Sequence, residues 1–217
     1  MDRPLEQIAI IGGTGRLGLG LARRLARGGA GDRVLIGSRD PARARTAAAD
    51  AGLGADRGRG NAEAAEIAET VILTVPFEAH EATLRALAPV LDGKILVDTT
   101  LSYDRNTRAV VLIDGLSAAE RARRFVPRAR VVGGFHTVSW TMLAHLDRTL
   151  HGDVLLCGDD AEAKDRVGAL VRAIDMRAVD VGPLANARLL EQLGGLLLQI
   201  NRRYKKKDLG IAIAGLE

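Results

Sequence analysis

Short apolar runs alternate with amphipathic stretches along most of this 217-residue chain. An apolar run bounded by turn residues is typical of a strand buried on both faces, and apolar residues at every third or fourth position indicate a helix. On this basis strands are predicted at Ile8–Ile11, Arg33–Ile36, Thr70–Val75, Lys94–Asp98, Arg130–Val132, Asp153–Leu156 and Ala178–Val181. Helices are predicted at Leu17–Arg27, Ala42–Ala51, Asn61–Glu69, Glu78–Leu91, Leu116–Phe125 and Ala161–Ile174. The alternation predicts an α/β fold with a doubly wound, mostly parallel sheet covered by helices on both faces.

Polar and glycine residues mark several of the predicted boundaries. Asn61 is predicted to be the N-cap of its helix, and Ser117 stands three residues before Glu120, the spacing of a capping box. The glycine-rich, charged stretch at Gly52–Gly60 predicts a loop. Residues 99–112 have no clean period, and we interpret them as a functional loop.

The C-terminal segment has a different pattern. A long helix is predicted to start at Gly182 and Pro183. Apolar residues recur along it at helical spacing, namely Leu184, Leu189, Leu190, Leu193, Leu196, Leu197, Leu198 and Ile200. This stripe is wider than one sheet face needs, and it fits either a subunit interface or burial within the monomer. We therefore divide the chain into a sheet domain, residues 1–182, and a C-terminal helix and tail for packing or dimerisation, residues 183–217.

A glycine-rich turn follows the first predicted strand. It comprises Gly12, Gly13, Thr14, Gly15, Arg16, Leu17 and Gly18. Gly13, Gly15 and Gly18 have the G-x-G-x-x-G spacing of a turn that brings a dinucleotide's pyrophosphate onto backbone N–H groups at a helix N-terminus. The motif lies between a strand and a helix, as a Rossmann-type βαβ unit requires. The turn therefore predicts dinucleotide binding.

The end of the second strand indicates which dinucleotide is bound. NAD-binding folds usually place an acidic residue there to hold the ribose 2′-hydroxyl, whereas this chain has Ser38 and Arg39, with Arg43 shortly after. A hydroxyl and guanidinium groups suit a 2′-phosphate, so the predicted cofactor is NADP. Two alternatives stay open: the arginines belong to a solvated helix face, or Asp40 reaches the ribose and restores NAD use.

Composition narrows the functional classes. A formal net charge of +4 is too small to indicate nucleic acid binding, and an anionic coenzyme accounts for it equally well. The single cysteine, Cys157, excludes an internal disulfide and fits a reducing compartment. No apolar stretch has membrane-spanning length, and the polar residues 1–7 do not resemble a secretory signal. A cytoplasmic protein with small-molecule partners, and with neither nucleic acid nor membrane as a partner, is expected.

Four loops are predicted to meet at the carboxyl edge of the sheet, where ligands of such folds bind. They are Gly12–Leu17, Thr74–Phe77, Thr99–Tyr103 and Gly133–Trp140. His136, in the last of them, is the candidate catalytic residue, because an imidazole there can orient a ring or transfer a proton. A structural histidine is the alternative. The other histidines, His80, His145 and His151, are expected on helical or loop surface.

Other chemistries find little support in the sequence. The sequence contains no metal-ligand spacing, so no metal is predicted. It also contains neither a nucleophile elbow nor a P-loop lysine. A nicotinamide cofactor without evident acid or base residues favours hydride transfer to a second redox cofactor, in which the protein mainly positions the two rings.

Several further segments resemble one family, the NADP-dependent reductases of the 8-hydroxy-5-deazaflavin coenzyme F-420. The matching segments, in chain order, are Gly12–Ala22, Gly37–Arg39, Leu73–Pro76, His136–Thr137, Cys157–Asp160, Gly182–Leu193 and Leu209–Ile211. The pair of CGDD and GPLANAR is more specific than the nucleotide motif, which many families share.

The resemblance implies hydride exchange between stacked nicotinamide and deazaflavin rings in a homodimer. It places Thr14, Ser38, Arg39 and Arg43 at the 2′-phosphate, Gly15, Arg16 and Leu17 at the pyrophosphate, and Thr74, Val75 and Pro76 at the cofactor, with the last two behind the nicotinamide. It also implies that His136 lines the deazaflavin pocket and orients the ring.

Two segments depart from the family pattern. The chain has Asp98–Asp104 where a proline-rich segment is expected, and Val138–Trp140 where small residues and proline are expected. Both segments lie on the predicted deazaflavin side, so reduction of another flat ring or imine (a pterin or a flavin) stays open, as does a non-catalytic NADP sensor. The basic cluster Arg202, Arg203, Lys205, Lys206 and Lys207 either binds the acidic tail of a deazaflavin coenzyme or simply covers a solvated helix end.

Overall fold

One eight-stranded sheet organises the chain in a computed structural model that describes residues 5–104 and 106–216. Residues 1–4 of the polar N-terminal segment, Arg105 of the predicted loop and Glu217 lie outside the described residues. The strands are β1 (Ile8–Ile11), β2 (Val34–Ser38), β3 (Gly58–Gly60), β4 (Thr70–Leu73), β5 (Ile95–Asp98), β6 (Tyr103–Asp104), β7 (Ala109–Val110), β8 (Arg130–Gly133), β9 (Asp153–Gly158) and β10 (Arg177–Asp180). The helices are α1 (Arg16–Leu25), α2 (Pro41–Asp50), α3 (Asn61–Ile67), α4 (Phe77–Leu87), α5 (Ala118–Phe125), α6 (Trp140–Ala144), α7 (Ala161–Ala173) and α8 (Ala187–Arg203).

The strand order confirms the predicted doubly wound sheet. It runs β10-β9-β8-β5-β4-β1-β2-β3, so the chain winds outward from β1 to β3 and then returns to β4 on the other side of β1. All neighbouring pairs are parallel except β8 and β9, which makes the sheet mostly parallel. The reversal between β1 and β4 is the kind of switch point at which open α/β sheets bind ligands.

The core consists of two apolar layers, one on each face of the sheet. Alternate residues of one strand enter opposite layers, as Ile8 and Ile10 of β1 face one way while Ala9 and Ile11 face the other. The first layer packs against α1, α2, α6 and α7, and the second packs against α3, α4, α5 and the start of α8. Burial on both faces explains why the strands are continuous apolar runs.

Four local predictions are wrong. Residues 99–112 contain the antiparallel hairpin β6–β7, and Gly58–Gly60 pairs with β2 as the edge strand. The N-cap of α3 is Gly60, so Asn61 is the first helical residue. The last helix begins at Ala187, after a 3₁₀ turn at Leu184–Asn186. The capping box of Ser117 and Glu120 is confirmed.

Gly58 shows why a loop and a strand are hard to distinguish from sequence in this region. A β-carbon at this position would collide with the backbone of Ala44 and Arg45 on α2. The glycine therefore permits close packing of helix on strand, although in sequence it resembles a turn signal.

Among the helices that the structure describes, none combines the length and the apolar character needed to span a membrane.

Candidate functional site

The turn between β1 and α1 forms a cradle of bare backbone. Gly12 has a left-handed φ of +78°, which favours glycine. A β-carbon on Gly13 would lie 2.7 Å from the Ile10 carbonyl oxygen, and one on Gly18 would lie 2.7 Å from the Gly13 Cα. The chain can therefore fold back tightly only because these positions lack side chains.

The N-terminus of α1 faces this cradle with free hydrogen-bonding capacity. Among the described residues, no side chain caps α1, and its first turn carries no acidic residue. Its first N–H groups and the positive end of its dipole are therefore available to an anion. A tight glycine cradle against an uncapped helix fits the pyrophosphate of a dinucleotide.

The residues proposed for the 2′-phosphate lie at the end of β2. Ser38 and the exposed Arg39 line a cavity of about 580 Å³, whose other lining residues come from the end of β3, from α3 and from α4. The Asp40 carboxylate is occupied as the N-cap of α2, where it accepts hydrogen bonds from the Ala42 N–H (2.9 Å) and the Arg43 N–H (3.4 Å). With Asp40 engaged, a hydroxyl and a guanidinium face the cavity, which fits NADP. The Arg43 side chain is exposed on α2 and lies outside the lining of this cavity.

Hydrogen bonds connect the carboxyl ends of β1, β4 and β5. The Thr74 N–H and hydroxyl both donate to the Ile11 carbonyl at 2.9 Å, and the Thr99 hydroxyl donates to the Leu73 carbonyl at 2.8 Å. The four loops named from the sequence therefore meet at the carboxyl edge of the sheet. A β-carbon on Gly12 would lie 3.0 Å from a Val75 methyl carbon, so Val75 is immediately beside the cradle, and the exposed Pro76 caps α4.

A second cavity of about 410 Å³ opens across the same edge from the glycine cradle. Its lining comes from Leu17 of α1, Thr99 and Leu101 after β5, the segment 135–141 after β8, α8 and the residues that follow α8. Three members of the basic cluster, Arg202, Lys206 and Lys207, stand in this lining. The cavity is mostly apolar with cations on one side, a composition suited to a flat ring that carries an anionic extension.

His136 is buried in the lining of this second cavity. Both of its ring nitrogens lack a hydrogen-bond partner among the described residues. Burial lowers the pKa of His136 to about 4, although the negative charge of Asp98 opposes the shift. Near neutral pH the ring is therefore uncharged, and it offers one donor and one acceptor that the protein does not use. Such unpaired groups are uncommon in protein interiors, which points to a ligand partner.

The residue before His136 explains how the ring is presented. Phe135 is buried and has a left-handed φ of +64°, an unusual conformation for a bulky residue. This turn follows directly after β8 and directs the chain over the edge of the sheet. The sequence contains no glycine or asparagine at this position that would have indicated it.

His80, which was expected on the surface, is buried and paired with Asp98. Its Nε2 lies 2.6 Å from the Asp98 carboxylate, and both side chains are at most 2% exposed. Burial alone would raise the pKa of Asp98, but the charge and hydrogen bond of His80, together with the Thr100 N–H, lower it. His145 and His151 are exposed, as expected. The surface prediction for His80 was wrong because its partner lies on a different element, β5.

Helix α8 is attached to α5 by buried carboxylates. Glu191 is fully buried and accepts hydrogen bonds from the Ala118 N–H (3.0 Å) and the Ala119 N–H (3.2 Å), while Arg188 pairs with Glu120 at 2.7 Å. Burial raises the pKa of Glu191 to about 8. A β-carbon on Gly194 would lie 2.6 Å from the His136 carbonyl oxygen, so this glycine lets α8 approach the His136 loop closely.

Cys157 is not a candidate nucleophile. It is fully buried on β9, and burial raises the pKa of its thiol to about 12. The thiolate, which is the reactive form, is therefore not populated near neutral pH.

The fold and the two facing sites define a Rossmann-type oxidoreductase that uses a nicotinamide coenzyme. Residues 7–102 match the family model described as NADP oxidoreductase coenzyme F420-dependent. The chain is 41% identical to the F420-dependent NADP reductase of Methanothermobacter marburgensis, over 97% of this chain and 99% of that protein. It is 39% identical to the reductase of the same name from Methanocaldococcus jannaschii, again over 97% and 99%. The protein belongs to the family of F420-dependent NADP reductases.

A solved structure agrees with this family membership. The crystal structure of a putative F420-dependent NADP-reductase from Arthrobacter sp. FB24 superposes with a TM-score of 0.83 at 26% identity, covering 96% of this chain and 99% of that one. Both segments in which this chain departs from the family pattern, Asp98–Asp104 and Val138–Trp140, therefore lie within a fold that is shared over nearly its whole length.

Proposed function

We propose that this protein transfers a hydride between NADP(H) and the deazaflavin coenzyme F-420. The observation that carries the proposal is the pair of cavities on one sheet edge: a glycine cradle beside Ser38 and Arg39, and across from it a mostly apolar cavity that contains the unpartnered ring of His136. The family membership supports the identity of the two coenzymes.

On the NADP side, the protein supplies hydrogen-bonding groups, and the glycines of the cradle leave the backbone free of side chains. The pyrophosphate would be held by the N–H groups at the start of α1, with Gly15, Arg16 and Leu17 around it. The 2′-phosphate would be held by Ser38 and Arg39, with Thr14 nearby and Arg43 further out on α2. Val75 beside the cradle, with Thr74 and Pro76, would support the nicotinamide ring.

On the deazaflavin side, the protein supplies a pocket and a neutral hydrogen-bonding ring. Because the His136 imidazole is buried and uncharged, its role is to orient the deazaflavin ring by hydrogen bonding. The cations Arg202, Lys206 and Lys207 in the lining suit the acidic tail of the coenzyme. The hydride itself moves between the two coenzymes, and the protein's contribution is to hold their rings in register.

The proposal is tested by mixing the purified protein anaerobically with NADPH and the oxidised deazaflavin coenzyme. We expect the deazaflavin absorption band to bleach, and to bleach much more slowly with NADH. Retained NADPH binding without bleaching would contradict deazaflavin reduction. Turnover of a pterin or flavin under the same conditions would then identify the acceptor, and no turnover of any ring would indicate an NADP sensor.

Replacing His136 with alanine is expected to affect the second substrate selectively. Loss of one neutral hydrogen bond should raise the KM for the deazaflavin coenzyme roughly 2- to 12-fold, the equivalent of about 0.5–1.5 kcal/mol. The dissociation constant for NADPH should change less than about twofold. His136→Asn, which keeps a donor and an acceptor, should recover part of the loss. Equal effects on both coenzymes would assign His136 a purely structural role.

We further propose that the protein is a homodimer that pairs through α8. Leu189, Leu193, Leu196 and Ile200 follow one another at spacings of four, three and four residues, which places them on one face of the helix. Leu189 is 65% exposed and Leu196 is 49% exposed, and this face continues the apolar layer below α8. A second copy presenting the same stripe would bury both faces together.

Replacing Leu196 with glutamate is expected to convert the dimer to a monomer, because it places a charge in the centre of the apolar stripe. Light scattering coupled to size exclusion should report half the wild-type mass. Ile67→Glu is the matched control, since Ile67 is a 45% exposed apolar residue at the end of α3, distant in sequence from the stripe. A wild-type protein that elutes as a monomer would refute the proposed dimer.

A further inference from the structure

The only tryptophan of the chain contacts the nucleotide-binding turn. The Arg16 guanidinium carbon lies 4.5 Å from the centroid of the Trp140 ring, which is a cation–π contact. Arg16 is the first residue of α1, directly after Gly15, and Trp140 is the first residue of α6, where it lines the second cavity. One contact therefore connects the glycine cradle to the wall of the opposite cavity.

The charge of Arg16 is available to a ligand. Within the described part of the chain, Arg16 forms no ion pair with a carboxylate, and its side chain is exposed. A guanidinium that stacks on an aromatic ring uses its flat face, so the N–H groups on its edge remain free to donate to an anion. The stack also restricts a long side chain that would otherwise be mobile, which reduces the entropy lost when a ligand binds.

The two helices that carry this contact are held together along their length. Arg24 of α1 is buried and donates to the carbonyl oxygens of Met142, Leu143, His145 and Arg148, at 2.6–3.2 Å. A β-carbon on Gly20 would lie 2.8 Å from Leu143 Cβ, so α1 and α6 pack closely. The position of Trp140 over Arg16 is consequently set by several contacts behind it.

From this geometry we propose that Trp140 is a positioning residue for the pyrophosphate of NADP. Its ring holds the Arg16 guanidinium beside the glycine cradle, so a residue in the wall of the second cavity contributes to binding at the first. The inference rests on the proposed function in one respect, namely that the dinucleotide binds at this turn. On this proposal, the segment Val138–Trp140, which departs from the family pattern, contributes through Trp140 to nucleotide binding.

The test uses 2′-phospho-ADP-ribose, which carries the 2′-phosphate and pyrophosphate of NADP but no nicotinamide. Titration into the wild-type protein should change the intrinsic fluorescence of Trp140, and calorimetry should give the same dissociation constant. Trp140→Leu should weaken binding about 2- to 5-fold, the fold-change for a cation–π contact at an exposed site. Trp140→Phe keeps a ring and should bind within about twofold of wild type. In an Arg16→Ala background, Trp140→Leu should have no further effect.

The control is Tyr204→Leu, which removes a 65% exposed aromatic ring that lies outside the lining of the second cavity. It should leave the dissociation constant unchanged. Wild-type affinity in Trp140→Leu, or an equal loss with and without Arg16, would overturn the inference while leaving the proposed function intact. Failure of the wild-type protein to bind the probe at all would instead refute NADP binding at this turn.

Discussion

Replacing Arg39 with alanine is expected to weaken NADPH binding by about 1.5–3 kcal/mol, roughly 10- to 150-fold, and to leave NADH binding little changed. Arg39 lies at the end of β2 and lines the cavity beside the glycine cradle, where its guanidinium can form charge-assisted hydrogen bonds with a 2′-phosphate. NADH lacks that phosphate and would lose no such bond. Calorimetric dissociation constants for both coenzymes measure the difference.

Arg43 provides the matched control for this variant. Arg43 is a second arginine, five residues after the last residue of β2, but it is exposed on α2 and lies outside the cavity lining. Arg43→Ala should therefore cost less NADPH affinity than Arg39→Ala. Equal losses of NADPH and NADH affinity in Arg39→Ala would show that the phosphate binds elsewhere.

The state of Asp40 strengthens the expected preference. An acidic residue at this position would favour NAD if its carboxylate were free to bind the ribose hydroxyls. Here the carboxylate caps α2, and the Asp40 N–H in turn donates to the Ser38 hydroxyl at 3.2 Å. Releasing Asp40 to bind a ribose would leave the first N–H groups of α2 without their cap, a loss of about 0.5–2 kcal/mol.

The largest stability effect is expected from His80→Leu, which should lower the free energy of unfolding by about 3–5 kcal/mol. Leucine can fill the space of the imidazole but cannot donate to the Asp98 carboxylate, which is fully buried. The variant would thus bury a charge without its main partner. Equilibrium unfolding in urea at fixed protein concentration measures the change.

The same pair makes a prediction about pH. In the wild-type protein the pKa of Asp98 is lowered, so its contribution to stability is present above the ordinary carboxyl pKa and is lost as the pH falls through the lowered value. Without His80, burial would raise that pKa instead, and protonation would relieve the unpaired charge. The loss of unfolding free energy caused by His80→Leu should therefore become smaller as the pH is lowered from 7 towards 5.

Two further variants separate charge from packing. Asp98→Asn in the His80→Leu background removes the buried charge and keeps an oxygen for the Thr100 N–H, so most of the lost stability should return. His145→Leu replaces an exposed histidine and should change stability by less than about 0.5 kcal/mol. A His80→Leu variant whose free energy of unfolding stays within about 1 kcal/mol of wild type, with no change in that difference between pH 5 and 8, would contradict a stabilising contact between His80 and Asp98.

The local structure of the proposed nucleotide half of the site could be predicted from the sequence, because its signals are local. The strand, turn and helix from Ile8 to Leu25 occupy consecutive positions, and their glycines are required by close backbone contacts within the same unit. Ser38 and Arg39 likewise stand at the end of the second strand, where NAD-binding folds usually carry an acidic residue.

Other features depend on which elements the fold brings together, and the sequence pattern did not reveal them. His80 looked like a surface residue on a helix until β5 placed Asp98 beneath it. The left-handed turn at Phe135, the approach of Gly194 to the His136 loop and the stack of Arg16 on Trp140 each join residues that no local rule associates. Hairpin β6–β7 was missed because two-residue strands are too short to show a period.

The sequence by itself determined the doubly wound sheet and the glycine-rich turn after its first strand, and it predicted the residues for a 2′-phosphate, since these signals depend on residues close together in the chain. Only the tertiary structure decided which polar groups are buried, which of them are paired and which face a cavity. Burial and pairing depend on distances between residues far apart in sequence, for example 18 positions between His80 and Asp98 and 73 between Ala118 and Glu191. Those distances set the charge state of each group, and therefore what the site can bind.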